Sequence, residues 1–114
     1  MTPPSPAKHE PRTCDKALTA VFAVLGKRWN GVLLGTLADG PAGFVELRRA
    51  VGGISDSVLS DRLAELMRSG LVQREVQEGP PLSTTYRLTQ AGDDLVPALD
   101  ALTSWARANL RPPR

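Results

Sequence analysis

A chain of 114 residues with 41% apolar content has room for one globular domain and is too apolar to be disordered as its main state. Its single cysteine excludes an internal disulfide, no apolar run approaches the ~18 residues of a membrane span, and the start Met1-Thr2-Pro3-Pro4-Ser5-Pro6 lacks the apolar core of a signal peptide, so a cytoplasmic location is expected. The net charge of +2 says little about partners, because residues 43–89 hold six arginines and six acids, residues 90–106 sum to −3 and residues 107–114 to +3. Any attraction to phosphate must come from a fold that separates the arginines from the acids.

Residues 1–13 carry four prolines and read as a mobile arm, and residues 111–114 read as a frayed tail, which leaves one domain over 14–110. From Asp15 to Leu25 apolar residues recur at helical spacing, and Gly26 ends the run. A second helix is expected from about Trp29 to Ala38, before Asp39-Gly40-Pro41. Phe44 to Val51 predicts a short third helix with Leu47 and Val51 inward and Arg48 and Arg49 outward. Gly52-Gly53 breaks it. Ser55 is the expected N-cap of a fourth helix reaching Ser69, with Leu59, Leu63, Leu66 and Met67 on one face and Ser57, Ser60, Asp61, Ala64 and Arg68 on the other. Gly70 is its expected C-cap.

Leu71–Val76 and Thr84–Leu88 have strand character, with a Gly-Pro-Pro loop between them. Thr89 to Gly92 reads as a turn. A last helix is expected from about Asp93 to Asn109, with Pro97 in its first turn or marking a kink. The fold class is therefore mainly α with one small β-hairpin. A short turn joins the third and fourth helices, the helix-turn-helix arrangement, and the hairpin after it is a wing. Winged helices bind DNA, and they also serve as protein-binding modules without DNA affinity; the order of elements alone leaves both open.

The residues narrow the choice. Cys14 is followed by a helix and Gly26-Lys27-Arg28-Trp29. Gly43-Phe44-Val45-Glu46-Leu47-Arg48 comes next, then Gly53-Ile54-Ser55 with Leu59, Ser60, Arg62, Leu63 and Leu66. Gly70-Leu71-Val72 with Arg74, and Tyr86, Leu88, Thr89 and Gly92, close the series. In this order and spacing they resemble the HxlR type of winged helix-turn-helix transcriptional regulators, a MarR-like group, across nearly all of residues 14–105. Gly43 departs from the usual Arg there, and Gln77, Pro81-Leu82 and Thr85 depart from the family's wing. The resemblance implies a DNA-binding regulator, a repressor in the leading reading, that acts as a homodimer on double-stranded operator DNA with an inverted repeat.

An α-helix fits the major groove, and residues near its N-terminus reach deepest. Ser55, Ser57, Ser60 and Asp61 stand there, so they are the candidate base readers. Arg62 either holds Asp61, Glu65 or a phosphate. Arg48 and Arg49 meet phosphates on the helix that crosses the backbone, or pair with Glu46. Arg74 and Arg87 place charge in the minor groove from the wing, or pair with Glu75 or Glu78. The stripes Leu18-Val21-Phe22-Leu25 and Leu95-Leu99-Leu102-Trp105 are long for so small a core. They form a dimer interface between the N- and C-terminal helices, or pack only on their own domain.

Cys14 is the one candidate for chemistry. At a helix start a thiolate is favoured by the dipole and by Lys16 nearby, and relatives commonly sense oxidants or electrophiles through a cysteine at this position. The alternative is a small buried residue without reactivity. His9 is the sole histidine, no Cys/His cluster exists for a metal, no glycine loop for a phosphate and no nucleophile with a base. Neither enzymatic activity nor a cofactor is expected.

Overall fold

The computed structural model describes residues 12–111. The expected arm therefore lies outside the described residues except for Arg12 and Thr13, and the expected tail except for Arg111. Seven elements follow in order: α1 Lys16–Leu25, α2 Asn30–Leu37, α3 Phe44–Val51, α4 Asp56–Arg68, β1 Val72–Gln77, β2 Ser83–Leu88 and α5 Gln90–Asn109. Among the described residues no single helix is long and apolar enough to cross a membrane.

Local chemistry accounts for most boundaries. Asp15 caps α1, its Oδ1 accepting from the Ala17 amide at 2.8 Å and the Leu18 amide at 3.3 Å. Trp29, expected as the first residue of α2, instead sits in the left-handed region at φ 82°, and Asn30 begins the helix. The side chain of Glu46 accepts from the Gly43 amide at 3.2 Å at the start of α3. Gly52 and Gly53 follow with φ of 70° and 75°, a pair of left-handed residues that only glycine takes at low cost. Ser55 Oγ accepts from the Val58 amide at 3.2 Å, which caps α4. The last helical geometry there belongs to Ser69, and Gly70 takes the left-handed position after it at φ 77°.

The hairpin pairs antiparallel in the register Val72↔Leu88 to Gln77↔Ser83. Ala42, ahead of α3, adds an isolated bridge to Tyr86, with hydrogen bonds of 3.0 and 2.8 Å, and so ties the wing to the helices. The stretch 89–92 expected as a turn is the first turn of α5. Thr89 Oγ1 accepts from the Gly92 amide at 3.2 Å and donates to the Gly70 carbonyl at 2.6 Å. Gly92 is buried there, where any Cβ would collide with the Leu71 carbonyl oxygen and crowd Leu88. With the helix starting at Gln90, Pro97 lies in its interior rather than in its first turn. The missing N–H there leaves the Asp93 carbonyl without its helical donor.

The core comprises Leu33, Leu34 and Leu37 of α2, Leu47 of α3 and Leu59, Leu63 and Leu66 of α4, closed by Ala42, Ile54, Val72 and Leu88. It lies between the helix-turn-helix and the wing. α1 contributes no buried residue, although Val24 and Leu25 rest on the core's edge. Leu95, Val96 and Leu99 of α5 pack on it likewise. The dimer stripe expected from the sequence is thus divided by depth. Leu25, Leu95 and Leu99 belong largely to their own domain, whereas Leu18 (57% exposed), Val21, Phe22 (55%), Leu102 (49%) and Trp105 (55%) face solvent.

Candidate nucleic-acid interface

α4 buries Leu59, Leu63 and Leu66 and presents Ser57, Ser60, Asp61 and Arg68 to solvent. The 3.6-residue period generates this division, and the Ser55 cap fixes where the helix begins. None of the three forward polar residues Ser57, Ser60 and Asp61 is drawn into an ion pair among the described residues. Ser55 Oγ and Ser57 Oγ lie 3.4 Å apart. Hydroxyls and a carboxylate at the front of an exposed helix are groups that base edges in a major groove can pair with.

Two arginines of α3 lie beside this helix in different states. Arg48 Nη1 contacts Asp56 Oδ1 at 2.6 Å, so its partner is the first residue of α4 and not Glu46, whose carboxylate is on the Gly43 amide. Arg49 is exposed and in no ion pair among the described residues. Arg62, half-buried, turns away from Asp61 and meets Glu65 Oε2 at 3.3 Å. The wing arginines expected to act together lie on opposite faces of the hairpin. Arg74 is opposite Tyr86 and exposed, whereas Arg87 is opposite Gln73 and bonds Glu75 Oε1 at 3.0 Å. Strand alternation forces this, because 74 and 87 fall in neighbouring register pairs.

A polar junction that the sequence reading missed connects α4 to the elbow between α1 and α2. Glu65 Oε2 accepts from Lys27 Nζ at 2.8 Å and Glu65 Oε1 from Asn30 Nδ2 at 3.0 Å. Asn30 is fully buried, and its Nδ2 also donates to the Val24 carbonyl at 2.9 Å. The signal was present: positions 30, 33, 34 and 37 share one helical face, so Asn30 had to be buried with its leucine neighbours. The Lys27 hydrogen bond above all, then Asn30 and the charge of Arg62, holds the Glu65 carboxyl below the ordinary carboxylate range, against an opposing push from partial burial. A depressed native value means that the stability from Glu65 is present above the ordinary carboxylate range and is lost as pH falls through the native value. Urea midpoints for wild type and Glu65→Gln are therefore expected to converge as the pH is lowered through that range. A difference independent of pH would contradict the ion-paired carboxylate.

Cys14 is exposed, one residue before the α1 cap. The first-turn amides expected to favour its thiolate are taken by the Asp15 carboxylate instead. The thiol lies in a shallow hollow lined also by Leu18, Phe22 and Ala23, at the head of the exposed apolar face of α1. Lys16 is exposed beside it.

A helix-turn-helix with an open polar face on its second helix, a basic helix across that helix's start and a hairpin wing define a winged helix-turn-helix transcriptional regulator. The HxlR-like helix-turn-helix family matches residues 24–113, and the chain belongs to that family. Its relatives are transcriptional regulators of the helix-turn-helix type and not enzymes. The HTH-type transcriptional regulator YodB of Bacillus subtilis is 37% identical over 93 residues, covering 82% of each chain. The solved reduced form of YodB superposes with a TM-score of 0.77 at 34% identity, over 90% of this chain and 100% of that one. The redox regulator HypR in its oxidised form gives a TM-score of 0.78 at 31% identity, over 84% and 99%.

Proposed function

We propose that the protein is a homodimeric repressor that reads an inverted-repeat operator through α4 and is released by modification of Cys14. The observation that carries the DNA reading is the open polar face of α4, with Ser57, Ser60 and Asp61 forward, together with an exposed Arg49 on α3 that is in no ion pair among the described residues. Serine hydroxyls and Asp61 discriminate base edges, while Arg49 and Arg74 supply backbone contacts. Arg48, Arg62 and Arg87 act mainly through their carboxylate partners, fixing helix and wing geometry. One winged domain makes few contacts, so two copies on a two-fold axis supply affinity and fix the spacing of half-sites. The exposed faces of α1 and α5 supply the surface that joins them.

The regulatory half of the proposal is supported by the position of Cys14 at the head of α1's apolar face and by the similarity to a regulator solved in a reduced form and one named as a redox regulator. An oxidant or electrophile is the effector class that fits a lone exposed thiol.

The test of readout uses two substitutions on the exposed surface. Ser60→Ala is expected to weaken binding to an operator selected from random duplexes by about 1–3 kcal/mol, with binding to mixed-sequence DNA unchanged. Arg49→Ala is expected to weaken both and to lower the salt slope by about one. Fluorescence anisotropy over a salt series measures both. Unchanged preference and affinity in Ser60→Ala would remove that residue from the readout, and absence of any DNA binding by the wild type would leave a protein-binding module.

A further inference from the structure

We infer that Arg28, on the elbow between α1 and α2, is a second DNA-backbone anchor that serves the strand on the far side of α4 from α3. The inference rests on the DNA-binding reading and extends it to a residue outside the helix-turn-helix and wing. Asp56 and Glu65 are nine residues apart on α4, which at 3.6 residues per turn sets them about half a turn apart around the helix. Asp56 is held by Arg48 of α3 at 2.6 Å, and Glu65 is held by Lys27 of the elbow at 2.8 Å. Ser57, Asp61, Ala64 and Arg68 lie between these two directions on the exposed side. The presented face of α4 therefore has α3 on one side at its start and the elbow on the other side nearer its end.

A helix lying in a major groove has one phosphate backbone along each flank. α3 brings Arg49 to the first of these. On the elbow, Lys27 is occupied by Glu65, but Arg28 is not: no carboxylate among the described residues pairs with it. Its guanidinium carbon lies 4.6 Å from the centre of the Trp29 ring. Trp29 has a left-handed backbone, and its ring reaches the helix-turn-helix turn, with Cη2 3.8 Å from where a Cβ of Gly53 would be. The cation–π contact holds the guanidinium over the indole, and among the described residues its N–H groups have no hydrogen-bond partner, so they are available to a phosphate.

The experiment measures anisotropy of wild type, Arg28→Ala and Arg49→Ala over a salt series on a mixed-sequence duplex and on a selected operator. Arg28→Ala is expected to lower the salt slope by about one and to weaken binding to both duplexes roughly five- to tenfold near ~0.1 M salt, with the urea midpoint unchanged. The double variant is expected to lower the slope by about two. An unchanged slope and affinity in Arg28→Ala, with Arg49→Ala still reducing both, would overturn the Arg28 anchor and leave DNA binding intact. Failure of the wild type to bind either duplex would overturn both readings.

Discussion

Leu102→Glu combined with Trp105→Glu is expected to convert the protein into a folded monomer and to reduce operator affinity by about 100-fold or more. Both side chains are about half exposed in the single chain, so folding does not depend on burying them. Each apolar side chain of this size contributes about 1.5–3 kcal/mol when fully removed from water, and two adjacent turns of α5 present them together. In a dimer joined through this face the substituted carboxylates would be drawn into an apolar interface, at a cost of several kcal/mol each. Leu99 is a poorer probe of the same claim. It packs on the domain's own core, and a charge there would unfold the chain without reporting on association. Light scattering gives the mass, and the urea midpoint shows whether the fold is kept. A dimer of unchanged mass would remove α5 from the interface.

Cys14→Ser is expected to abolish the response to diamide or a quinone while keeping binding to the operator. The serine hydroxyl is similar in size, and Cys14 makes no contact with the core, so basal affinity has no reason to change. In the wild type, diamide would take two electrons and two protons from a pair of Cys14 thiols, or from one Cys14 and a small thiol, leaving a disulfide and the reduced hydrazide. A quinone would instead form an S–C bond with the thiolate at one ring carbon, the C=C electron pair moving to the carbonyl oxygen, which takes up a proton. On the proposed reading each product would alter the hollow beside Leu18 and Phe22 and so shift α1 against the second copy. Because the elbow after α1 is tied to α4 through Lys27, Asn30 and Glu65, a displaced α1 would change the separation of the two reading helices in the proposed dimer. Equal loss of operator affinity on diamide treatment in wild type and Cys14→Ser would contradict the switch.

How much of this was legible beforehand differs from element to element. The limits of α3 and the Ser55 cap of α4 follow from local signals, apolar period and capping chemistry, which act within a few residues. The start of α5 was displaced because Thr89 and Gly92 read as turn residues. Only the packing against Leu71 and Leu88 shows that the glycine is a point of close approach inside a helix. The bridge between Ala42 and Tyr86 joins positions 44 apart in the chain and leaves no periodic trace. The same reason hid the Glu65 junction, whose partners Lys27 and Asn30 lie 38 and 35 residues away. Periodicity identified the face on which Leu18, Leu25, Leu95 and Trp105 lie. It carries no information on depth, so it did not separate residues packed on the domain's own core from those left for a second copy.

Sequence-specific reading by a dimer is tested by an anisotropy titration of the reduced wild-type protein on the duplex most enriched from a random pool, set against a mixed-sequence duplex at the same salt. A dimer reading through α4 is expected to enrich an inverted repeat with half-sites about one helical turn, or a multiple of it, apart, and to bind it about 1,000-fold or more tightly than the mixed sequence. Equal affinity for the two duplexes, with no repeat emerging from the pool, would contradict sequence-specific reading by a dimer.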